Sequence, residues 1–406
     1  MSSKLVFGRY DYASFAGLAA YAASSVAVPM VLVELAASLG FPLESGGNGA
    51  GGVLQIGRSF AMMFSMASCG FLDASWGKRI SLGAAIALMG AGIMLAAFSP
   101  VYGVLFAALA AAGLGEGVIE GLATPVVQDL HADDQPGRYI NFNHSFWSVG
   151  VVATSIAAGC ALYCHVNWRV ILAVVGALAL LPALLFLLPE GKHRFPTVPA
   201  GSWKKVSADT LAILRCRRFW IFFAAMFFAG GGEFSLTFWS APFIRIAYGD
   251  SAAASGIGTA IFSCGMIVSR MGSGMLVPQR RLAALVIVMA AIGVPLGIAP
   301  AFLSNIWMLF LILFLLGIIS GPFWPSIQSY AVDRLGLDST MIFVLLSCAG
   351  IPGCGFFTWL LGVAADCFSM RMAILVVPAC YLLVLLLIAS EAACRRGRQS
   401  DGETPR

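Results

Sequence analysis

The sequence predicts an all-α integral membrane protein whose twelve transmembrane helices form two pseudo-symmetric six-helix bundles. Three observations predict it. Hydrophobic residues make up 60% of the chain and charged residues 11%, against roughly 45–50% and 25% in a soluble domain, and the mean hydropathy is +0.90. Apolar stretches close to the roughly 20 residues that carry a helix across a hydrocarbon core of about 30 Å recur along nearly the whole chain. The longest polar connection, residues 189–218, is rich in Pro, Lys and Arg and leaves six such stretches on either side.

The first stretch, 12–37, follows Lys4 and Arg9. It is too long for a signal h-region and others follow it, so it reads as a retained helix. The second, 50–70, carries Arg58; the basic turn "GFLDASWGKRI" (70–80) separates it from the third, 80–98. The fourth and fifth, 102–128 and 140–163, carry Glu116, Glu120 and His144, and the sixth is 168–188. The second half repeats the count at 219–243, 254–276, 282–300, 305–330, 340–363 and 372–390. Pro125, Pro322, Pro325 and Pro352 lie inside these stretches, where each removes a backbone hydrogen bond and can bend a helix. The expected organisation is an N-terminal bundle (1–189), an interdomain loop (190–216), a C-terminal bundle (217–394) and a tail (395–406).

Charge placement sets the expected orientation. With both termini in the cytoplasm, Lys4, Arg9, Lys78, Arg79, Arg138, Lys192, Arg194, Lys204, Lys205, Arg215, Arg217, Arg218, Arg280, Arg281, Arg334, Arg395, Arg396, Arg398 and Arg406 all fall inside, and only Arg169, Arg245 and Arg371 fall outside. That asymmetry follows the positive-inside rule and points to a multi-pass protein of the inner or plasma membrane. The formal charge of +5 resides in these loops and the tail, which argues orientation and no nucleic-acid partner.

Ten cysteines are scattered through the segments without a C-x-x-C pair or a His/Cys cluster of zinc spacing, so no metal or cofactor is expected. "GLGEGV" (113–118) lacks the preceding strand of a dinucleotide loop. No nucleophile elbow supports an enzyme using Glu116 with Glu120 or His144 with Ser145. An internal repeat is visible instead: Gly113 and Gly317, Gly117 and Gly321, and Asp129 and Asp333 are each 204 residues apart, the mark of duplicated halves.

Four motifs sharpen the picture. The fourth segment reads "GLGEGVIEG" (113–121), a G-x-G-x-G-x-x-[DE] pattern with Glu120 at the acidic position. The fifth opens "NFNHSFWSVG" (141–150), an N-x-x-H-x-F-x-x-x-G pattern with Asn141, His144, Phe146 and Gly150. The seventh holds Glu233 and Trp239 in "GGEFSLTFW" (231–239), and the tenth holds "GPFWP" (321–325). With the two-halved layout, these resemble the major facilitator superfamily, and within it the fucose, galactose and glucose proton-symporter group. The 70–80 turn resembles that superfamily's G-x-x-x-D-x-x-G-[RK]-x-[RK] loop, although Asp73 stands one residue early. The resemblance implies gating roles for Asp73, Lys78 and Arg79. The group's asparagine after the acidic position is Thr124 here, and its acid deep in the first segment is missing, since Glu34 lies toward that segment's outer end.

Glu116, Glu120, Thr124 and Gln128 follow one another at i, i+4 spacing and form one stripe on the fourth helix. A carboxylate at mid-depth is disfavoured by roughly 2.5–3.5 kcal/mol on insertion scales, so it is protonated, paired or hydrated. A group poised between those states can load a proton on one side and release it on the other. Glu120, Glu116 and His144 are therefore the proton-coupling candidates, each against a plain structural hydrogen bond. The substrate-binding candidates are Asn141, His144, Trp147, Glu233, Trp239, Trp324, Gln328 and Arg58. Aromatic faces paired with amide and carboxylate groups are the usual mix for a polar ligand in an apolar pocket, though tryptophans also pack or sit at interfaces, and Trp359 is a further aromatic of this kind. Arg58 either neutralises Glu34 or another acid, or holds an anionic substrate. Arg270 is expected at a gate or as a loop anchor.

The expected function is a secondary transporter, acting as a monomer, that moves a small sugar-like solute with protons across the lipid bilayer by alternating access. A proton-coupled exporter or antiporter of amphipathic compounds and an organic-anion carrier are the alternatives within transport. A sensor that binds without translocating lies outside it.

Overall fold

The computed structural model describes residues 6–131, 136–190, 195–196 and 203–400. Its helices are α1 (Arg9–Ser38), α2 (Asn48–Ala67), α3 (Cys69–Ala97), α4 (Tyr102–Leu130), α5 (Pro136–Tyr163), α6 (Trp168–Leu187), α7 (Trp203–Arg215), α8 (Arg217–Ala247), α9 (Ala252–Leu276), α10 (Leu282–Ile298), α11 (Ile306–Ser320), α12 (Phe323–Leu335), α13 (Ser339–Cys367), α14 (Met370–Ala373) and α15 (Val376–Ser400). Among the described residues no strand occurs.

Eleven of the twelve predicted stretches form helices long and apolar enough to cross a membrane. The remaining one, α2, is long enough at 20 residues but is diluted by Asn48, Gln55, Arg58, Ser59 and Ser65. All five are buried against protein, which is where intramembrane polar groups are tolerated.

Several elements depart from the predicted boundaries; the twelfth stretch breaks at residues 374–375, and α15 runs on to Ser400, into the expected tail. α3 begins at Cys69 rather than residue 80, because the basic turn is itself helical on both sides of Gly77, whose φ of 74° breaks the helix in a region glycine alone enters without strain. The tenth stretch divides at Gly321–Pro322 into α11 and α12. Within the polar connection, residues 203–215 form the amphipathic α7.

Packing divides the chain into two units, residues 1–200 with 238–260 and residues 201–237 with 261–406. In the first unit α4 wedges between α2 and α3, and its glycines explain how. A β-carbon on Gly113 would stand 2.4 Å from the Arg58 carbonyl oxygen, one on Gly117 2.1 Å from that of Met62, and one on Gly115 2.4 Å from that of Ala85 on α3. Small residues here let backbones touch. Two arginines close the end of α6: Arg9 donates to the Leu185 carbonyl at 2.6 Å and Arg79 to that of Phe186 at 2.6 Å, filling acceptors a helix end leaves open. At the opposite end, Glu34 of α1 pairs with Arg245 at 2.7 Å.

The second unit repeats the glycine packing. A β-carbon on Gly317 would meet the Phe262 carbonyl oxygen at 2.1 Å, and one on Gly321 the Ser269 Oγ at 2.2 Å and the Met266 carbonyl oxygen at 2.9 Å. Gly117 likewise faces Met62 and the Ser65 Oγ, so the 204-residue spacing holds on both partner helices: 58 with 262, 62 with 266, and 65 with 269. The counterpart of Arg58 is thus Phe262 and that of Arg270 is Met66, so the two intramembrane arginines are not copies of one ancestral residue.

Candidate functional site

In the first unit Arg58 is 2% exposed and Glu116 0% exposed. The guanidinium grips the carboxylate bidentately, through Nε at 2.7 Å and through Nη2, and Nη2 also donates to Ser24 Oγ at 2.9 Å. α1, α2 and α4 are thereby tied at one point. Of the partners expected for Arg58, Glu34 is excluded by its pairing with Arg245; the acid that answers Arg58 is Glu116. The close approach at Gly113 makes this possible by seating α4 directly on the Arg58 backbone.

Further along the same face of α4 the environment opens. Glu120 and Thr124 are half-buried, and Thr124 Oγ1 shares a 2.8 Å hydrogen bond with Nε2 of the exposed His144 on α5. The motifs on α4 and α5 thus meet through this pair. The Asn141 side chain lies outside the described residues. Trp147 packs against Ala22, Val26 and Val151, and Trp239 is fully buried beside Phe238.

The second unit joins two other motifs. Glu233 of α8 pairs with Arg270 of α9 at 2.9 Å, and Arg270 Nε donates to the Gly321 carbonyl at 2.9 Å. Local chemistry explains the second contact: Pro325 has no N–H to give the carbonyl four residues earlier, and Arg270 supplies the missing donor. "GPFWP" and the Glu233 motif are coupled through one side chain. Trp324 lies against Gly350, while Gln328 donates to Ser347 Oγ at 3.1 Å and ties α12 to α13.

Replacing Arg270 with leucine should cost about 1–3 kcal/mol, the usual penalty of a buried acceptor left unsatisfied. Pro325→Ala restores an N–H for Gly321 and should recover part of that loss in the double variant, as a double-mutant cycle on thermal midpoints would read. Equal losses with and without Pro325 would sever the two motifs.

The basic turn is locked within the first unit. Lys78 Nζ meets Asp129 Oδ2 at 2.6 Å, Arg79 also pairs with Glu190 at 3.1 Å, and Asp73 accepts a hydrogen bond from the Lys78 backbone. Asp73 thus stands beside Lys78 of the same turn and Asp129 of α4.

Sequence reasoning missed several partners. Ser24 gave no motif, and the Arg334 Nε–Glu391 Oε1 bond of 3.0 Å, with Glu391 only 1% exposed, joins α12 to α15 across a separation no pattern marks. His131 and Asp11 also meet, at 2.6 Å, joining the end of α4 to the start of α1. Among the described residues no group of three His, Cys, Asp or Glu is placed to hold a metal.

The sequence profile of the Major Facilitator Superfamily matches residues 13–356. No curated protein matches the chain in sequence. Solved structures match at the level of fold. A bacterial homolog of the human lysosomal transporter Spinster, inward-facing and occupied, aligns with a TM-score of 0.75 at 14% identity over 98% of both chains. The nucleoside transporter NupG aligns at 0.75 and 12% identity over 94% of this chain and 98% of that one. A D-xylose-proton symporter aligns at 0.68 and 15% over 94% and 96%. A profile match across most of the chain, carried on an all-helical multi-pass membrane fold, makes this protein a member of the major facilitator superfamily, a transporter and not an enzyme.

Proposed function

We propose that this chain moves a small polar solute, a sugar or sugar derivative, together with a proton, from a cell membrane in which both termini face the cytoplasm. Access alternates between the two sides of the membrane through the bundles of residues 1–189 and 217–394, with Asp73, Lys78, Arg79 and Arg270 steadying the gates. The observation that carries the reading is the contrast along α4: Glu116 is sealed in its pair with Arg58, while one turn on Glu120 is half-buried, followed by Thr124 bonded to the exposed His144. Only a carboxyl group that reaches water can exchange its proton within a transport cycle. Glu120 is the proton site, His144 its relay or a solute ligand, and Glu116 the residue that fixes Arg58. Asn141, Trp147, Trp239, Glu233, Trp324 and Gln328 complete the solute-binding set.

The organic-anion alternative draws on Arg58 as its cation, and that guanidinium is occupied by Glu116 and Ser24. The sugar–proton reading also fits the fold shared with a D-xylose-proton symporter.

The test is uptake by reconstituted vesicles, screening sugars, sugar acids and organic acids with and without an inward proton gradient. Sugar accumulation should appear only with the gradient. In Glu120→Gln it should fall to the level without the gradient while exchange of internal for external solute persists. Unchanged accumulation in that variant removes Glu120 from the coupling.

A further inference from the structure

The basic residues of the two units are used differently. In the first unit Arg9 and Arg79 are spent on the carbonyls ending α6, and Lys78 on Asp129. In the second unit Arg215, Arg217, Arg280 and Arg281 are exposed and Arg218 is half-buried. None of the five forms an ion pair with another described side chain. Chain direction puts them at one end: α8 starts there, α9 finishes there, and Gln279, beside Arg280, bonds Ser329 in the middle of α12 at 2.8 Å.

α7 ends at Arg215, one residue before the membrane-spanning α8, so its C-terminal end lies at the level where that span begins. It is pinned there. Trp220 in the first turn of α8 donates its indole N–H to the Leu214 carbonyl at 3.0 Å, Ile213 is fully buried, and α7 packs against α13. Leu211, Leu214 and Trp220 remain exposed. An apolar edge flanked by arginines at the end of a span has the composition of a helix lying in the headgroup layer of a negatively charged leaflet.

We propose that α7 and the α9–α10 turn form a docking surface for anionic phospholipid headgroups, with the arginines on the phosphates and Leu211, Leu214 and Trp220 dipping into the acyl boundary. The transported solute has no part in this surface, so the inference stands apart from the proposed function.

Native mass spectrometry of the full chain, released from mixed phosphatidylglycerol and phosphatidylcholine, tests it. The wild type should retain phosphatidylglycerol preferentially, and rising salt should erode that preference. Replacing Arg215, Arg217, Arg280 and Arg281 with glutamine should weaken phosphatidylglycerol retention by about fivefold per charge removed and leave phosphatidylcholine unchanged; the four corresponding lysine replacements should keep most of it. Equal retention of the two lipids by the wild type, or a preference insensitive to salt, overturns the proposal. The salt series needs no variant and decides the matter even if the glutamine protein fails to fold.

Discussion

Replacing Glu116 with alanine should destabilise the protein by about 3–5 kcal/mol, because it strands the Arg58 guanidinium in an interior sealed on every side. Arg58 is 2% exposed and keeps only Ser24 once the carboxylate is gone. Glu116→Gln should cost less, since the amide oxygen still accepts a hydrogen bond. The informative variant is Arg58→Leu with Glu116→Leu. A buried pair exchanged whole for apolar groups of similar volume is often neutral or stabilising, so the double variant should unfold above either single one in a detergent melt. A double variant no better than the singles would deny the pair its role. The same protein also separates architecture from chemistry: with the pair replaced and the fold intact, proton-driven accumulation should continue through Glu120, and its loss would hand the proton to Glu116.

Gly117→Ala should be nearly as damaging, at about 1–3 kcal/mol or more, the range for forcing a methyl group into a filled interior. Its β-carbon would sit 2.1 Å from the Met62 carbonyl oxygen, an atom fixed by helix α2. Gly317→Ala meets the Phe262 carbonyl oxygen at the same 2.1 Å and should lose a matching amount. Gly272, in α9, has nothing within 4 Å of its would-be β-carbon. Alanine there should be harmless or stabilise by up to about 1 kcal/mol through helix propensity. Thermal midpoints of the three variants would settle the order, and a tolerated Gly117→Ala would contradict the packing.

The spans, the repeat and the four motifs were legible in the sequence because hydropathy and glycine spacing are local signals. The glycine register even carried through to the packing of α2 and α9, which no motif described. Partner choice was not legible. Arg58 pairs with a residue 58 positions away, and whether it meets Glu116 or Glu34 depends on how α1, α2 and α4 are rotated about their axes. The use of Arg270 was hidden for a related reason: the carbonyl it serves is orphaned by a proline on another helix, so neither residue shows the need alone. α7 was obscured by the basic, proline-rich connection around it, and the α11–α12 break by the apolar run that spans it.

The arginine caps on α6 bear on how the protein is made. Arg9 lies 176 residues ahead of the Leu185 carbonyl it grips, and at synthesis rates of about 5–20 residues per second that interval lasts roughly 10–35 s. The Arg9 guanidinium of α1 thus waits for its partners until α6 is threaded and offers its terminal carbonyls. Capping of α6 by Arg9 is therefore a late event in biogenesis, and a ribosome stalled before residue 185 would leave α1 held to α2 and α4 through Ser24 and Asp11 but without its grip on α6.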